Sequence, residues 1–85
     1  MVMNDLQAGG SMVVKVKLFA TFRRGRFREQ DMELPDGCTV EWVLDHLNIP
    51  RRQLGIIYLN GLAASEDTVL HQGDTLSIFP MVGGG

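Results

Sequence analysis

Only one segment of the chain carries the apolar spacing of a helix, and this limits the folds that the chain can adopt. Its apolar residues recur at i, i+3, i+4 and i+7, which is one face of a helix: Val40, Val43, Leu44 and Leu47. Thr39 precedes them as a candidate N-cap residue, and Pro50 is expected to close the helix. A chain of 85 residues makes one domain, so the sequence predicts a single helix packed on a sheet.

Two segments before the helix are typical of strands. Residues 13–19 alternate valine with lysine, which places Val14, Val16 and Leu18 on one face of a first strand. Residues 27–34 form a second, more polar strand. Its charged side chains are typical of a strand at the edge of a sheet. These two segments predict a hairpin.

The connections of this hairpin carry their own signals. Met32 and Leu34 are the inward residues of the second strand, and the Pro-Asp-Gly turn at 35–37 ends it. The arginine-rich residues 23–28 join the two strands and predict a solvated turn. Contact between these arginines and a phosphate or an acidic protein surface is the alternative.

After the helix, residues 56–59 form a short β-branched and aromatic run. Asn60-Gly61 follows as the commonest pair for a type I′ turn, so Leu62-Ala63 is expected to start a return strand.

The end of the domain is predicted to be an irregular segment followed by a last strand. Residues 65–72 lack periodicity, with Val69 and Leu70 expected to lie under the core, and Gly73-Asp74 forms a turn. In residues 75–80 the alternation places Leu76 and Ile78 inward, and Thr75, Ser77 and Phe79 outward.

Composition excludes several kinds of function. Eight basic residues against ten acidic ones leave no excess to neutralise phosphates, so nucleic acid is not expected as a partner. Cys38 is the only cysteine, which rules out an intrachain disulfide and predicts a buried, inert thiol. His46 and His71 lack further ligands at metal-binding spacing. The apolar runs are too short to span a bilayer, and the cytoplasm is the expected location.

The chain divides into three parts. Residues 1–11 lack periodicity and predict a disordered N-terminal extension, residues 12–80 predict the domain, and residues 81–85 predict a flexible tail. The sequence closes on three glycines, which leave the carboxylate of Gly85 sterically unhindered. We expect that carboxylate to be the working group, with a flexible end of no function as the alternative. Extended, the five tail residues reach roughly 17 Å.

Four parts of the sequence together resemble a known family: the strand 14–20, Thr39-Val40 at the helix start, Asn60-Gly61, and the segment 73–85. In this combination the chain resembles the MoaD/ThiS group of bacterial sulfur carrier proteins over about residues 12–85. The resemblance implies an α+β fold of the β-grasp or ubiquitin-like kind, with a mixed four- to five-stranded sheet packed on one main helix.

Within that group, Phe79-Pro80-x-Val82 is more similar to the small subunit of molybdopterin synthase than to the thiamine carrier. Two positions depart from the family pattern: Met81 stands where the family has a second proline, and Gly83 adds a third glycine before the terminal pair.

The resemblance implies that the chain is a carrier and cosubstrate, not an enzyme. A partner related to ubiquitin-activating enzymes uses ATP to adenylate Gly85, and a sulfur donor enzyme supplies the sulfur of the resulting thiocarboxylate. The chain itself binds no cofactor and no metal. A large subunit of molybdopterin synthase is a further expected partner, whereas nucleic acid and membranes are not.

The predicted site has two parts. The residues that thread into a partner are Met81, Val82, Gly83 and Gly84, ahead of the reactive Gly85. The residues of the partner interface are Phe79, Pro80, Tyr58, Arg23 and Arg24. Phe79 beside Pro80 and Met81 forms an apolar patch where the tail emerges, unless Phe79 folds back onto the sheet.

The function that the resemblance implies first is sulfur donation in the synthesis of the molybdopterin cofactor of molybdenum or tungsten. Three other functions remain open. The chain is a carrier for thiamine synthesis, or a ubiquitin-like modifier that is conjugated to lysines through Gly85, or a β-grasp binding module that never uses its terminus.

Overall fold

The computed structural model describes residues 10–81, and residues 1–9 and 82–85 lie outside the described part. Within residues 10–81 the elements follow in this order: β1 (Ser11–Leu18), a first 3-10 helix (Ala20–Arg23), β2 (Glu29–Pro35), α1 (Val40–His46), a second 3-10 helix (Arg51–Gln53), β3 (Leu54–Leu59), β4 (Leu62–Ala63) and β5 (Thr75–Pro80). Ser11, which the sequence assigns to the extension, is thus the first residue of β1.

The strands form one mixed sheet in the order β2-β1-β5-β3-β4. β1 and β5 run parallel, with Lys15 opposite Thr75 and Leu18 opposite Ile78, while the other neighbouring pairs are antiparallel. Parallel neighbours need a crossover connection, and the chain between β1 and β5 includes α1. This is the α+β β-grasp arrangement that the sequence predicts, with β2 at an edge.

The core lies between one face of the sheet and α1. The strand residues predicted to point inward are all buried: Val14, Val16, Leu18, Met32, Leu34, Leu76 and Ile78. The helix contributes Val40, Val43 and Leu44, also buried, and the partly buried Leu47 packs against the same cluster. The period-2 and period-3.6 patterns are therefore both confirmed.

α1 begins after the predicted N-cap residue and ends before Pro50, but the contacts at both ends differ from those expected. Thr39 occupies the N-cap position but makes no side-chain capping bond; instead, the N–H of Val40 donates to the carbonyl of Thr68 at 3.0 Å. At the other end the helix stops before Pro50, because Asn48 adopts a left-handed φ of 58°. A tertiary contact and an asparagine thus do what a threonine and a proline were expected to do.

In the segment before β5, the prediction of a buried residue is confirmed for Leu70 and wrong for Val69. Leu70 is buried, with 1% of its surface exposed, whereas Val69 is 45% exposed. Val69 pairs with Thr39 in an isolated bridge, and the N–H of Leu70 donates to the carbonyl of Cys38 at 2.9 Å. Extended backbone sends successive side chains to opposite sides, so only one of these two neighbours reaches the core.

The arginine-rich stretch is not a simple solvated turn. Its first residue, Arg23, ends the first 3-10 helix, in which Phe22 is buried. The Arg26 guanidinium donates to the carbonyls of Leu47 at 2.9 Å, Phe22 at 3.1 Å and Asn48 at 3.1 Å. The last carbonyls of a helix lack intrahelical partners, so Arg26 supplies donors that α1 needs at its C-terminal end.

The Asn60-Gly61 turn is confirmed, with φ of 52° and 85° at its two residues, as a type I′ turn requires. Across residues 10–81, none of the helices is both long enough and apolar enough to cross a membrane.

Candidate functional site

Three aromatic side chains meet on the outer face of the sheet, opposite the core. Phe79 stacks on Phe19, with 4.0 Å between ring centroids and 9° between ring planes, and meets Tyr58 edge-on at 5.9 Å. β5 lies between β1 and β3, so an outward residue of β5 contacts side chains from both sides. All three side chains are half-buried. Phe79 therefore packs across the sheet and also keeps part of its surface in solvent.

The two predicted interface arginines differ in how they are held. The Arg23 guanidinium lies 5.2 Å from the centroid of the Phe19 ring, and its Nε donates to the Leu18 carbonyl at 2.7 Å. Arg24 is exposed. A shallow pocket of about 190 Å³ beside the aromatic cluster is lined by Lys17, Phe19, Arg23, Arg28 and Glu29. The border of the cluster on this side is therefore mainly basic.

Two residues of this face are absent from the predicted interface, Phe19 and Ile56. Ile56 lies opposite Phe79 across the β3–β5 pair and is 42% exposed. Strand alternation alone could have predicted that both point outward. Phe19 is two residues from the outward Lys17, and Ile56 is two residues from Tyr58. We call Phe19, Ile56, Tyr58 and Phe79 the outer aromatic face.

The tail starts at the edge of this face. Pro80 is the last residue of β5, and Met81 follows with 64% of its surface exposed. The N–H of Met81 donates to the Gln53 carbonyl at 2.8 Å, which ties the start of the tail to the second 3-10 helix. Residues 82–85 lie outside the described residues, so the reactive role of Gly85 and the threading roles of its neighbours stay predictions.

The second 3-10 helix is itself held by an ion-pair network. Arg51 contacts carboxylate oxygens of Glu66 at 2.6 Å, Asp45 at 2.8 Å and Glu41 at 3.9 Å. Hydrogen bonding to Glu66, and then to Asp45, raises the pKa of the Arg51 guanidinium. One side chain thus joins the 3-10 helix to α1 and to the loop before β5.

Cys38 is buried, as predicted, and burial raises the pKa of its thiol above the usual value. A thiol reacts as its thiolate, so this position disfavours a nucleophilic role. Over residues 10–81, no group of three or more His, Cys, Asp or Glu side chains has the geometry to hold a metal ion.

Comparison with known proteins gives a match to a sequence family and matches to solved structures. The sequence profile of the ThiS family matches residues 16–85, which is most of the chain and includes the terminal glycines. No curated protein sequence is a significant match.

Three solved structures are similar. A Pyrococcus furiosus protein described as a candidate molybdopterin converting factor, subunit 1, is 31% identical over 84% of this chain and 99% of its own, with a TM-score of 0.69. The HVO 2177 protein of Haloferax volcanii is 28% identical over 96% of this chain and 94% of its own, with a TM-score of 0.75. Small archaeal modifier protein 1 of H. volcanii is 26% identical over 84% and 99%, with a TM-score of 0.68.

The family profile runs from Val16, within β1, to the last residue, and the similar structures have the same fold. The chain therefore belongs to the ThiS family, in the MoaD/ThiS group of ubiquitin-like β-grasp proteins.

Proposed function

We propose that this protein is a sulfur carrier whose Gly85 carboxylate is adenylated and then converted to a thiocarboxylate. The observation that carries the proposal is the family match over residues 16–85, which extends through the three terminal glycines. In this proposal the chain is a cosubstrate, and the enzymes that act on it supply every catalytic group and use the ATP. The proposed location of the carrier is the cytoplasm.

The chemistry explains why activation is needed. A free carboxylate is a poor electrophile because its oxygen is a poor leaving group. Attack of the Gly85 carboxylate on the α-phosphorus of ATP releases pyrophosphate and forms an acyl-adenylate. Hydrosulfide, as the simplest sulfur nucleophile, then attacks the carbonyl carbon, expels AMP and leaves the thiocarboxylate. The thiocarboxylate is ionised at neutral pH, and the ionised sulfur is the nucleophilic form.

The outer aromatic face is the proposed docking surface for these partners. It is apolar at the centre and lies next to Pro80 and Met81, where the tail starts, and Arg23 contributes a basic border beside Phe19. The exposed Arg24 is proposed to extend that border. Aromatic residues and arginine are enriched among the residues that dominate binding energy in interfaces. Docking there raises the effective concentration of the terminus in the partner's active site.

Molybdopterin synthesis is the pathway that we favour for the sulfur. The 31% identity to the candidate molybdopterin converting factor subunit supports it, as does the Phe79-Pro80-x-Val82 run. The proposed partners are then an activating enzyme, a sulfur donor enzyme and a synthase large subunit. Copurification with that large subunit, as opposed to rescue of a thiamine-requiring strain, separates this pathway from thiamine synthesis.

The direct test of the carrier role is intact mass spectrometry. The chain is incubated with the activating enzyme of its source organism, ATP and sulfide, and we expect a gain in mass of one sulfur-for-oxygen exchange located at Gly85. A variant lacking Gly84 and Gly85 is the control and should remain unmodified. If this deletion leaves cofactor synthesis and partner binding unchanged, the protein is a binding module that does not use its terminus.

Protein modification is the second candidate function, favoured by the 26% identity to small archaeal modifier protein 1. The same acyl-adenylate would then be attacked by a lysine amine of another protein. Mass spectrometry of the whole protein fraction distinguishes the two, because isopeptide adducts on target lysines appear only if the chain is a modifier.

A further inference from the structure

Three parts of the backbone converge where the tail leaves the sheet. The register between β3 and β5 shifts between Leu54 and Ile56, so Gly55 is an extra residue opposite the end of β5. Leu54 lies opposite Pro80, and the Met81 N–H donates to the Gln53 carbonyl at 2.8 Å. The first residue of the tail is therefore held from β3 and from the second 3-10 helix together.

Gly55 is needed at this point for space rather than for conformation. A Cβ atom there would lie 2.5 Å from the Pro80 oxygen, 2.7 Å from the Pro80 carbonyl carbon and 2.9 Å from the Met81 nitrogen. All three are backbone atoms, so no side-chain rotation relieves the contact. Gly55 is not among the residues with positive φ, so an alanine could adopt its backbone angles. The added methyl group, however, has no room.

The acceptor of the Met81 bond is rigidly supported. Gln53 ends the second 3-10 helix, and its N–H donates to the Pro50 carbonyl at 3.0 Å. Arg51 of the same helix reaches Glu66 and Asp45 and also donates to the Ile49 carbonyl at 3.1 Å. The position of the Gln53 carbonyl is thus tied to α1 and to the loop before β5.

We infer that Gly55 and the Gln53 carbonyl form a clamp on Met81, and that this clamp sets the direction in which the tail enters a partner's active site. Met81 has 64% of its surface exposed, and the contacts that hold it are those of its backbone. For a tail extended in a partner's channel, a change of about 20° at Met81 moves the far end by roughly 6 Å. The inference rests on the proposed carrier function, and Gly55 acts in it as a positioning residue.

The structural half of the inference is tested by amide hydrogen exchange of Met81 in the full chain. We expect the wild-type amide to exchange about tenfold more slowly than in an unstructured peptide, because it is bonded to Gln53. Gly55→Ala should abolish this protection. Gly61→Ala is the control: it places a strained alanine at the opposite end of β3, at a φ of 85° with open space around it, and should leave Met81 protected.

The functional half is tested by pyrophosphate exchange with the activating enzyme. Gly55→Ala should lower kcat by about 10- to 100-fold, as expected when a reacting group is misplaced by an ångström or so. KM should stay within about twofold, because the outer aromatic face still docks. Gly61→Ala should change neither value. A Gly55→Ala protein that folds and keeps its kcat overturns the inference.

Arg51→Gln provides a milder perturbation in case Gly55→Ala does not fold. It should increase exchange at the Met81 amide and lower kcat, whereas Arg52→Gln, which removes the same charge from the next and exposed residue, should do neither. A wild-type Met81 amide that exchanges like a free peptide refutes the clamp even if Gly85 is adenylated. If Gly85 is never adenylated, the proposed function fails, and the exchange data still decide whether the clamp exists.

Discussion

The two faces of the sheet use neighbouring residues of the same strands but differ in how they are packed. On β5, Ile78 is fully buried against the core, while Phe79 is half-buried in the outer aromatic face. The inner face is aliphatic and covered by α1. The outer face gathers rings from β3, from β5 and from Phe19, which directly follows β1, and leaves part of them in solvent. Only the outer face still has apolar area that a partner can cover, so stability and binding depend on different residues of one strand.

Ile78→Ala tests the inner face and should have the largest effect on stability. Removing a fully buried isoleucine leaves a cavity, and we expect the free energy of unfolding to fall by about 2–5 kcal/mol. Urea denaturation followed by circular dichroism measures this change. A loss below about 1 kcal/mol would mean that the core relaxes around this position and that the contrast between the faces is overstated.

Phe79→Ala tests the outer face. We expect the affinity for the activating enzyme to fall by about 2 kcal/mol, or roughly 30-fold, because an anchor ring is removed. Stability should fall by only about 1–2 kcal/mol, the contribution of a partly buried ring and its stacking. Calorimetry with the purified enzyme measures the affinity.

Val13→Ala is the matched control, since Val13 is exposed on the outer side of β1 but lies away from the aromatic cluster. Equal losses of affinity for Val13→Ala and Phe79→Ala would show that the docking surface is not the outer aromatic face.

Arg26→Ala sharpens the comparison within the arginine-rich stretch. It removes three hydrogen bonds, two to carbonyls at the end of α1 and one to the Phe22 carbonyl of the first 3-10 helix, and we expect stability to fall by about 1–3 kcal/mol. Arg24→Ala, at an exposed position, should change stability by less than about 0.5 kcal/mol. Paired thermal denaturation of the two variants checks this. Equal losses of stability in the two variants would mean that the hydrogen bonds of Arg26 do not stabilise the fold, as expected for a solvated turn residue.

The smallest effect concerns pH and the buried side of the domain. Burial raises the pKa of the Cys38 thiol, so the thiol ionises at lower pH in the unfolded chain than in the folded one. The thiol therefore leaves the free energy of unfolding unchanged below its usual pKa of about 8.5, and lowers it as the pH rises above that value. Cys38→Ala should flatten this decrease. Denaturation of both proteins at about pH 7 and about pH 10 isolates the thiol from other titrating groups.

Local patterns predict well wherever neighbouring residues decide the outcome. The inward residues of β1 and β5, the stripe of α1 and the Asn60-Gly61 turn all depend on contacts or backbone angles within a few residues, and each is confirmed. Thr39 does occupy the N-cap position, but the expected capping bond is absent, and the helix ends ahead of Pro50 at the left-handed Asn48. The prediction that Val69 lies under the core is wrong, because extended backbone sends its side chain away from the core and only Leu70 into it. The interface and tail residues remain predictions, although Phe79 does lie beside Tyr58.

The sequence by itself determined the period of α1 and of the longer strands, the order of the helix and strands, and the tail of three glycines, since these depend on residue type and spacing alone. It did not indicate the two 3-10 helices. Only the tertiary structure decided which rings meet on the outer face, that Arg26 bonds to the end of α1, and that Gly55 leaves room for Pro80. It also placed the Gln53 carbonyl on Met81. These contacts join residues far apart in the chain, and the strand order that brings them together is not written in any local pattern.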